Sequence, residues 1–162
     1  MTLRLAIRFP AGHYHATPWG RHVNEGDVEW PPSPWRLYRA LLAAGFTKLG
    51  WTEAPPDART LIEKLAAVTP ELHLPRAALG HSRHYMPISE GRTSTTTKVV
   101  DAFAAIERDE SGVLGIAWDV ELSQSELELV DALVATLGYL GRAESWVAAE
   151  RVTAFRPGLS PC

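Results

Sequence analysis

The segment Gly12–Ala44, GHYHATPWGRHVNEGDVEWPPSPWRLYRALLAA, joins a polar loop to an amphipathic helix. The Ser33 side chain can accept a hydrogen bond from a backbone N–H of the first turn, and Pro34 suits the first helical position, where no N–H is needed. The helix is therefore predicted to begin at Ser33. Its apolar residues recur at three- and four-residue spacing, which predicts one face packed against a sheet. These residues are Trp35, Tyr38, Leu41, Leu42 and Phe46.

Strands and helices on either side of this segment indicate an α+β domain. Leu3–Phe9 alternates apolar residues with Arg and Ala, which predicts an opening strand with one buried face. Asp57 is predicted to cap a second, short helix whose apolar stripe ends at Pro70. Ser123 and Glu126 have the spacing of a capping box at the start of a third helix.

The region between the second and third helices is predicted to hold a hairpin and a basic segment. Val99–Glu107 and Gly115–Leu122 have strand patterns and flank the turn Asp109–Gly112, so they are predicted to pair with each other. Residues 76–98 are basic, rich in hydroxyl groups and poor in helix formers, which is typical of a mobile hairpin or a long loop. A last strand is predicted within Trp146–Phe155.

The resulting order is close to β-α-β-β-α-β with insertions. This is the ferredoxin-like or RNA-recognition-motif fold, in which two helices cover one face of an antiparallel sheet. Residues 1–156 are predicted to form one such domain with a basic, thumb-like hairpin, and residues 157–162 a tail. In such domains the open sheet face binds nucleic acid when aromatic rings stack on unpaired bases and Lys or Arg meets phosphates.

Composition and charge favour a globular domain with an anionic ligand. The 162 residues are 46% hydrophobic and 22% charged, enough for a sizeable core. The formal net charge is −3, but residues 1–98 carry 12 Lys and Arg against 8 Asp and Glu, whereas residues 99–162 carry 4 against 11. The first part is predicted to face an anion, and the second solvent or a basic partner protein. The single cysteine, Cys162, and the lack of an apolar run of membrane length predict a cytoplasmic protein.

The loop before the first helix is the first candidate site. It holds His13, His15, Trp19, Arg21 and His22, whose side chains can stack on bases or meet phosphates. A contact with single-stranded RNA is predicted for His15, Trp19 and the Arg21-His22 pair. The alternative is a loop folded back on itself, with its histidines bonded to the main chain and Trp19 filling the core.

Cations outside this loop are further candidates for RNA contact. Arg36 and Arg39 lie in the first turns of the helix, where backbone N–H groups favour phosphate; a solvated helix face is the alternative. An ordinary surface loop is the alternative for the basic segment. Its candidate residues are Arg83, His84, Arg92 and Lys98.

Motifs of other functional classes are missing from the sequence. The pairs His13 with His15 and His81 with His84 lack a Cys or carboxylate at metal-ligand spacing, so no metal site is predicted. There is no phosphate-cradling glycine loop with a Lys, no Gly-x-Ser-x-Gly elbow and no Cys nucleophile with a base. No cofactor is predicted.

Three stretches, in this order along the chain, resemble one protein family. They are LRLAIRFPAG (Leu3–Gly12), EWPPSPWRLYRALLAA (Glu29–Ala44) and YLGRAESW (Tyr139–Trp146). They resemble the Cas-five family of CRISPR-associated RNA-binding (RAMP) proteins. The amino-acid sequence of Gly12–Trp35 is most similar to that of the fused Cas-five/Cas-six protein of type I-U systems, also called type I-G. Such a fusion would continue into an RNA-processing half, so the chain is expected to be an isolated N-terminal module or a truncated one, with residues 157–162 starting a linker.

The resemblance implies an antiviral function. It implies an RNA-binding subunit of a type I surveillance complex, Cascade, that holds the 5′ handle of the CRISPR RNA and caps the complex, with the other Cascade subunits as partners. It also favours RNA contact at the Gly141-Arg142 turn, where Gly141 is predicted to have a positive φ. The alternative there is a plain turn in which Arg142 pairs with Glu144.

A metal-independent endoribonuclease that matures CRISPR RNA is the alternative function. Such cleavage needs a base for the 2′-OH proton and an acid for the leaving oxygen, and histidine titrates in the right range for both. Relatives in the Cas-six family often place a histidine after the first strand. His13, His15 and His22 occupy that part of this chain and are the catalytic candidates.

Overall fold

The structure, a computed structural model, describes residues 2–90 and 93–155. Its helices are α1 (Pro34–Lys48), α2 (Pro56–Ala66) and α3 (Gln124–Ala135). Its strands are β1 (Thr2–Arg8), β2 (His13–Tyr14), β3 (Glu71–His73), β4 (Ala77–Glu90), β5 (Thr93–Ile106), β6 (Leu114–Asp119) and β7 (Ala148–Arg151). The candidate Arg92 and the tail 157–162 lie outside the described residues.

A four-stranded antiparallel sheet in the order β3-β6-β1-β7 forms the centre of the domain. Leu3 and Leu5 of β1 lie opposite Trp118 and Ile116 of β6, so the apolar residues of both strands share one face. Helices α1 and α3 pack on that face and complete the core. With α1 between β1 and β3, and α3 between β6 and β7, this is the ferredoxin-like arrangement, and the predicted fold is confirmed.

A long hairpin is inserted between β3 and β6. Strands β4 and β5 pair from Ala77 opposite Ile106 to Glu90 opposite Thr93, and β2 adds to the base of β5. The predicted thumb-like hairpin is therefore present as a paired element. The predicted pairing of Val99–Glu107 with Gly115–Leu122 is wrong, because β5 pairs with β4 and β2 while β6 pairs with β1 and β3.

Helix α1 begins as predicted, and its buried face includes two of the predicted residues, Tyr38 and Leu41. The Ser33 hydroxyl accepts a hydrogen bond from the Arg36 N–H, and Pro34 is the first helical residue. Leu37, Tyr38, Leu41, Ala44 and Gly45 are buried, whereas Trp35 and Phe46, predicted to face the core, are exposed. The Trp51 ring lies where a side chain at Gly45 would be, so this position of the buried stripe has room only for glycine.

The cap predictions for the other two helices had different outcomes. The capping box of α3 is confirmed: Ser123 and Glu126 each bond the backbone N–H of the other. The predicted Asp57 cap is wrong, because α2 starts at Pro56 with Pro55 as its cap residue and Asp57 inside the first turn. No helix in the described part of the chain is long and apolar enough to cross a membrane.

Two contacts tie the elements together. The Tyr38 hydroxyl of α1 accepts from Trp118 Nε1 on β6 at 3.2 Å and donates to the Leu65 carbonyl of α2 at 2.9 Å. On the sheet face away from the helices, Phe155 packs over Gly115 and against the His73 ring, with ring centroids 4.4 Å apart.

Candidate nucleic-acid interface

A groove of about 630 Å³ opens beside the start of α1. Three aromatic side chains on its walls face solvent: Trp19 is 86% exposed, Trp35 61% and Tyr139 50%. The loop before α1, the helix itself and the segment after α3 each contribute one of these rings. The remaining lining residues are Glu29, Ser33, Arg36, Arg39, Ala40 and Gly141.

The two arginines in the groove have different environments. Arg36 donates from Nε and Nη2 to the Glu29 carboxylate and from Nη2 to the Thr17 carbonyl. Burial alone would raise the pKa of Glu29, but hydrogen bonds from Arg36 and Ser33 lower it below its ordinary value. Arg36 therefore ties the loop to α1. Arg39 is exposed and makes no ion pair with a described residue, which leaves its charge available to a ligand.

The Gly141 turn reaches the groove from the far end of the chain. Gly141 has φ +87°, which confirms the predicted positive φ, and the Arg142 N–H donates to the His15 carbonyl at 2.9 Å. A Cβ at Gly141 would lie 2.6 Å from that carbonyl oxygen. Gly141 and Ser33 line the same groove, so the fold brings the turn and the start of α1 together.

A charged network joins this turn to the hairpin. His15 contacts Glu144 Oε1 through Nδ1 at 3.1 Å and Arg142 Nη1 through Nε2 at 3.3 Å. Arg142 also pairs with Asp101 of β5 at 3.2 Å and with Glu144 at 3.4 Å. His84 Nε2 lies 3.5 Å from the other oxygen of Asp101. The network fixes the turn against the loop and the hairpin.

The three loop histidines differ in their access to solvent. His15 is only 5% exposed, and both its ring nitrogens are engaged. Burial, followed by the charge of Arg142, lowers the pKa of His15, although Glu144 opposes this. His13 lies 3.4 Å from the Ala11 carbonyl, and His22 is exposed. A general base must reach the proton that it removes, and the buried ring of His15 does not reach the surface.

The structure separates the two interpretations of the loop. Trp19 is in solvent, so the alternative in which it fills the core is wrong. His15 is buried, but its ring contacts the side chains of Glu144 and Arg142 and not the main chain that this alternative named. Arg21 is exposed and pairs loosely with Glu25 and Asp27, each at 3.5 Å. RNA contact by these residues remains a prediction.

Sequence reasoning missed two of the three groove aromatics. Trp35 was assigned to the core because its spacing fits a helical stripe, and Tyr139 carried no signal beyond its place before the turn. The hairpin candidates are exposed side chains: Arg83, His84 and Lys98. Among residues 2–90 and 93–155, no group of three or more His, Cys, Asp or Glu is arranged to hold a metal ion.

Comparisons with known proteins give a distant structural likeness. No protein-family model matches the chain, and no curated protein matches it in sequence. Cas6 of Thermus thermophilus is similar at 14% identity with a TM-score of 0.40, over 92% of this chain and 53% of that one. A Cas6 product complex gives the same identity and TM-score over 93% and 50%. The chain thus spans about half the length of these Cas6 chains, and its fold assignment rests on its own strand order.

Proposed function

We propose that this chain is an RNA-binding module that holds the 5′ handle of a CRISPR RNA and caps one end of a type I surveillance complex. One observation carries the proposal: three exposed aromatic rings line a single groove together with Arg39, which forms no ion pair with a described residue. The sequence resemblance to the Cas-five family, which covers the loop, α1 and the Gly141 turn, supports the choice of RNA.

The chemistry of the groove suits an unpaired strand. Base–aromatic stacking requires a free face of the base, which a duplex hides between neighbouring pairs. Trp19, Trp35 and Tyr139 offer ring faces to such bases, and Arg39 offers a charge to the phosphates that link them. Arg36 is bonded to Glu29 and to the Thr17 carbonyl, so its contribution is to tie the loop to α1.

The first test replaces groove residues and measures RNA affinity. Trp35→Ala is expected to weaken binding of a single-stranded repeat-derived RNA by about tenfold, since a stacked base is worth roughly 1–3 kcal/mol. Phe46→Ala, which removes an exposed ring from the same helix outside the groove, is the control. Arg39→Ala is compared in the same way with Arg59→Ala, an exposed arginine on α2. Equal effects of the paired variants would contradict the groove as the RNA site.

The handle assignment needs a second measurement. Handle RNA and unrelated RNA of equal length are allowed to compete for the domain, and the handle is expected to win; equal binding would contradict this assignment.

Incubation of repeat RNA in EDTA tests the alternative function. A cut leaving a 2′,3′-cyclic phosphate and lost in His13→Ala or His22→Ala would replace binding with cleavage as the function. Salt-sensitive affinity without a cut is the expected result.

The acidic second part of the chain is proposed to meet the other Cascade subunits. It carries 11 acidic residues against 4 basic ones over residues 99–162, and a basic partner surface would complement it.

A further inference from the structure

The hairpin β4–β5 has two chemically different faces. Residues directly opposite in an antiparallel pair share a face, and successive residues alternate between faces. Tyr85 lies opposite Lys98 and Arg83 opposite Val100, so these four residues share one face. The next register positions, His84 opposite Val99 and Met86 opposite Thr97, fall on the other.

The first of these faces is basic and carries an exposed aromatic ring. We call it the basic face; within residues 77–88 and 95–106 it holds no Asp or Glu. Its outer part carries, in β4 and β5, His81, Arg83, Tyr85, Pro87, Thr96, Lys98 and Val100. Tyr85 is 68% exposed, and neither Arg83 nor Lys98 pairs with a described carboxylate. An aromatic ring between two available cations is the arrangement that stacks a base and meets its phosphates.

The second face has little positive charge to offer. It carries Met86, Ile88, Thr95, Thr97 and Val99 around one acidic group, Asp101. The groups next to Asp101 are His84 and Arg142, and both contact its carboxylate. An RNA phosphate here would compete with that carboxylate.

Two segments that contribute residues to the groove also contact the hairpin, one on each face, so the charge of the faces must decide between them. On one side, Gly141 of the groove precedes Arg142, which reaches Asp101 on the second face. On the other side, the chain that follows Trp19 passes Gly26, where a Cβ would lie 3.4 Å from Val100 on the basic face. The carboxylates on either side of Gly26, Glu25 and Asp27, both pair with Arg21. A bound strand can leave the groove along either route.

We infer that RNA bound in the groove continues along the basic face of the hairpin, with a base stacked on Tyr85 and phosphates at Arg83 and Lys98. This inference rests on the proposed function. Alternate residues of a strand lie about 6.8 Å apart, so the basic face presents a row of contacts to an extended backbone. His84, a sequence-based candidate, lies on the other face and is left out of the path.

Two neighbouring threonines allow a matched test. Thr96 lies on the basic face and Thr97 on the second face, and both are exposed. Thr96→Glu and Thr97→Glu therefore add the same charge to the full chain at adjacent positions. Thr96→Glu is expected to weaken binding of a single-stranded repeat-derived RNA by about fivefold, the effect of one unit charge a few ångströms from a phosphate in water. Thr97→Glu is expected to leave affinity within about twofold, because the hairpin lies between the new charge and the RNA and salt screens what remains of the interaction.

The salt dependence of affinity gives a second readout. Arg83→Ala is expected to reduce the slope of log affinity against log salt by about one phosphate contact. His84→Ala is expected to leave the slope unchanged. Equal effects of Thr96→Glu and Thr97→Glu, or an unchanged slope in Arg83→Ala, would overturn the inference.

The groove variants distinguish a failure of this inference from a failure of the proposed function. Loss of affinity in Trp35→Ala with no effect of the hairpin variants would leave an RNA-binding groove and remove the basic face from it. No RNA binding by the unmodified chain would overturn both.

Discussion

Gly141 occupies a backbone conformation and a space that both exclude a side chain. Its φ of +87° disfavours any other residue, and a Cβ would lie 2.6 Å from the His15 carbonyl oxygen. Gly141→Ala is therefore expected to lower the free energy of unfolding by roughly 2 kcal/mol or more, as measured in urea. Gly20→Ala separates the two causes, because Gly20 has φ +78° with nothing near its Cβ position. A cost no larger than that of Gly20→Ala would contradict the close approach to His15.

His15 makes stability depend on pH. Burial and the charge of Arg142 lower its pKa in the folded chain, so the unfolded chain binds the proton more readily. The contribution of the neutral ring is fully present above the unfolded pKa of about 6.5 and falls as the pH is lowered through that value. The free energy of unfolding is expected to drop between about pH 7.5 and pH 5.5. His15→Gln should show a smaller drop, and His22→Gln, at an exposed position, the same drop as the unmodified chain.

Local sequence signals predicted the backbone conformation of Gly141 but not the burial of His15. The end of α3 followed by Gly141 and Arg142 predicts a sharp turn, and the positive φ follows from glycine's freedom. The burial of His15 depends on Ser145 and Glu144, about 130 positions away, whose side chains bond its N–H and its ring. A loop rich in polar residues gives no local sign of such a partner.

At the scale of elements, the N-terminal caps of two of the three described helices were predictable, and the buried face of α1 was less so. The caps of α1 and α3 depend on residues within one turn, which the sequence displays directly. The buried stripe of α1 depends on Trp51, which covers Gly45 from outside the helix and lets a small residue face inwards. Trp35 lies outside this buried stripe and lines the groove.

The start of α3 is expected to depend on a buried carboxylate. Glu126 accepts from the Ser123 N–H at 2.7 Å and from Lys64 of α2 at 2.8 Å, and the bond from Lys64 is the main cause that lowers the pKa of Glu126. Glu126→Gln is expected to lower the free energy of unfolding by about 1–2 kcal/mol. Glu128→Gln, an exposed neighbour on α3, should be nearly neutral. The difference in free energy of unfolding between the two variants should shrink as the pH falls below about 4.3, where the carboxylate of the unfolded chain becomes protonated. Urea unfolding of the two variants over this pH range checks both statements.

Across the whole molecule, strand pairing was the hardest feature to predict. β5 and β6 are neighbours in sequence and are separated by a turn signal, yet each pairs elsewhere. Register is selected by which faces can be buried together, and Leu114, Ile116 and Trp118 match the apolar face of β1. Such a match involves residues more than a hundred positions apart, which periodicity within one segment does not reveal.

One hydroxyl links the sheet to two helices and offers a test of this packing. Tyr38→Phe removes the acceptor of the buried Trp118 N–H and the donor to the Leu65 carbonyl. A loss of roughly 1–3 kcal/mol in the free energy of unfolding is expected, because buried polar groups are left unpaired. Tyr139→Phe, at an exposed ring, is the control and should change stability little. Similar losses in both variants would contradict the link.

Phe155 changes what the open face of the central sheet can bind. Ferredoxin-like domains can bind nucleic acid through this face, but here the ring of Phe155 already lies over Gly115 and against His73. The ring is a tethered competitor, because the chain itself holds it at an effective concentration that short linkers set in the millimolar range. A base that stacks on this face must first displace it, so weak ligands are excluded there while the groove beside α1 stays open to them.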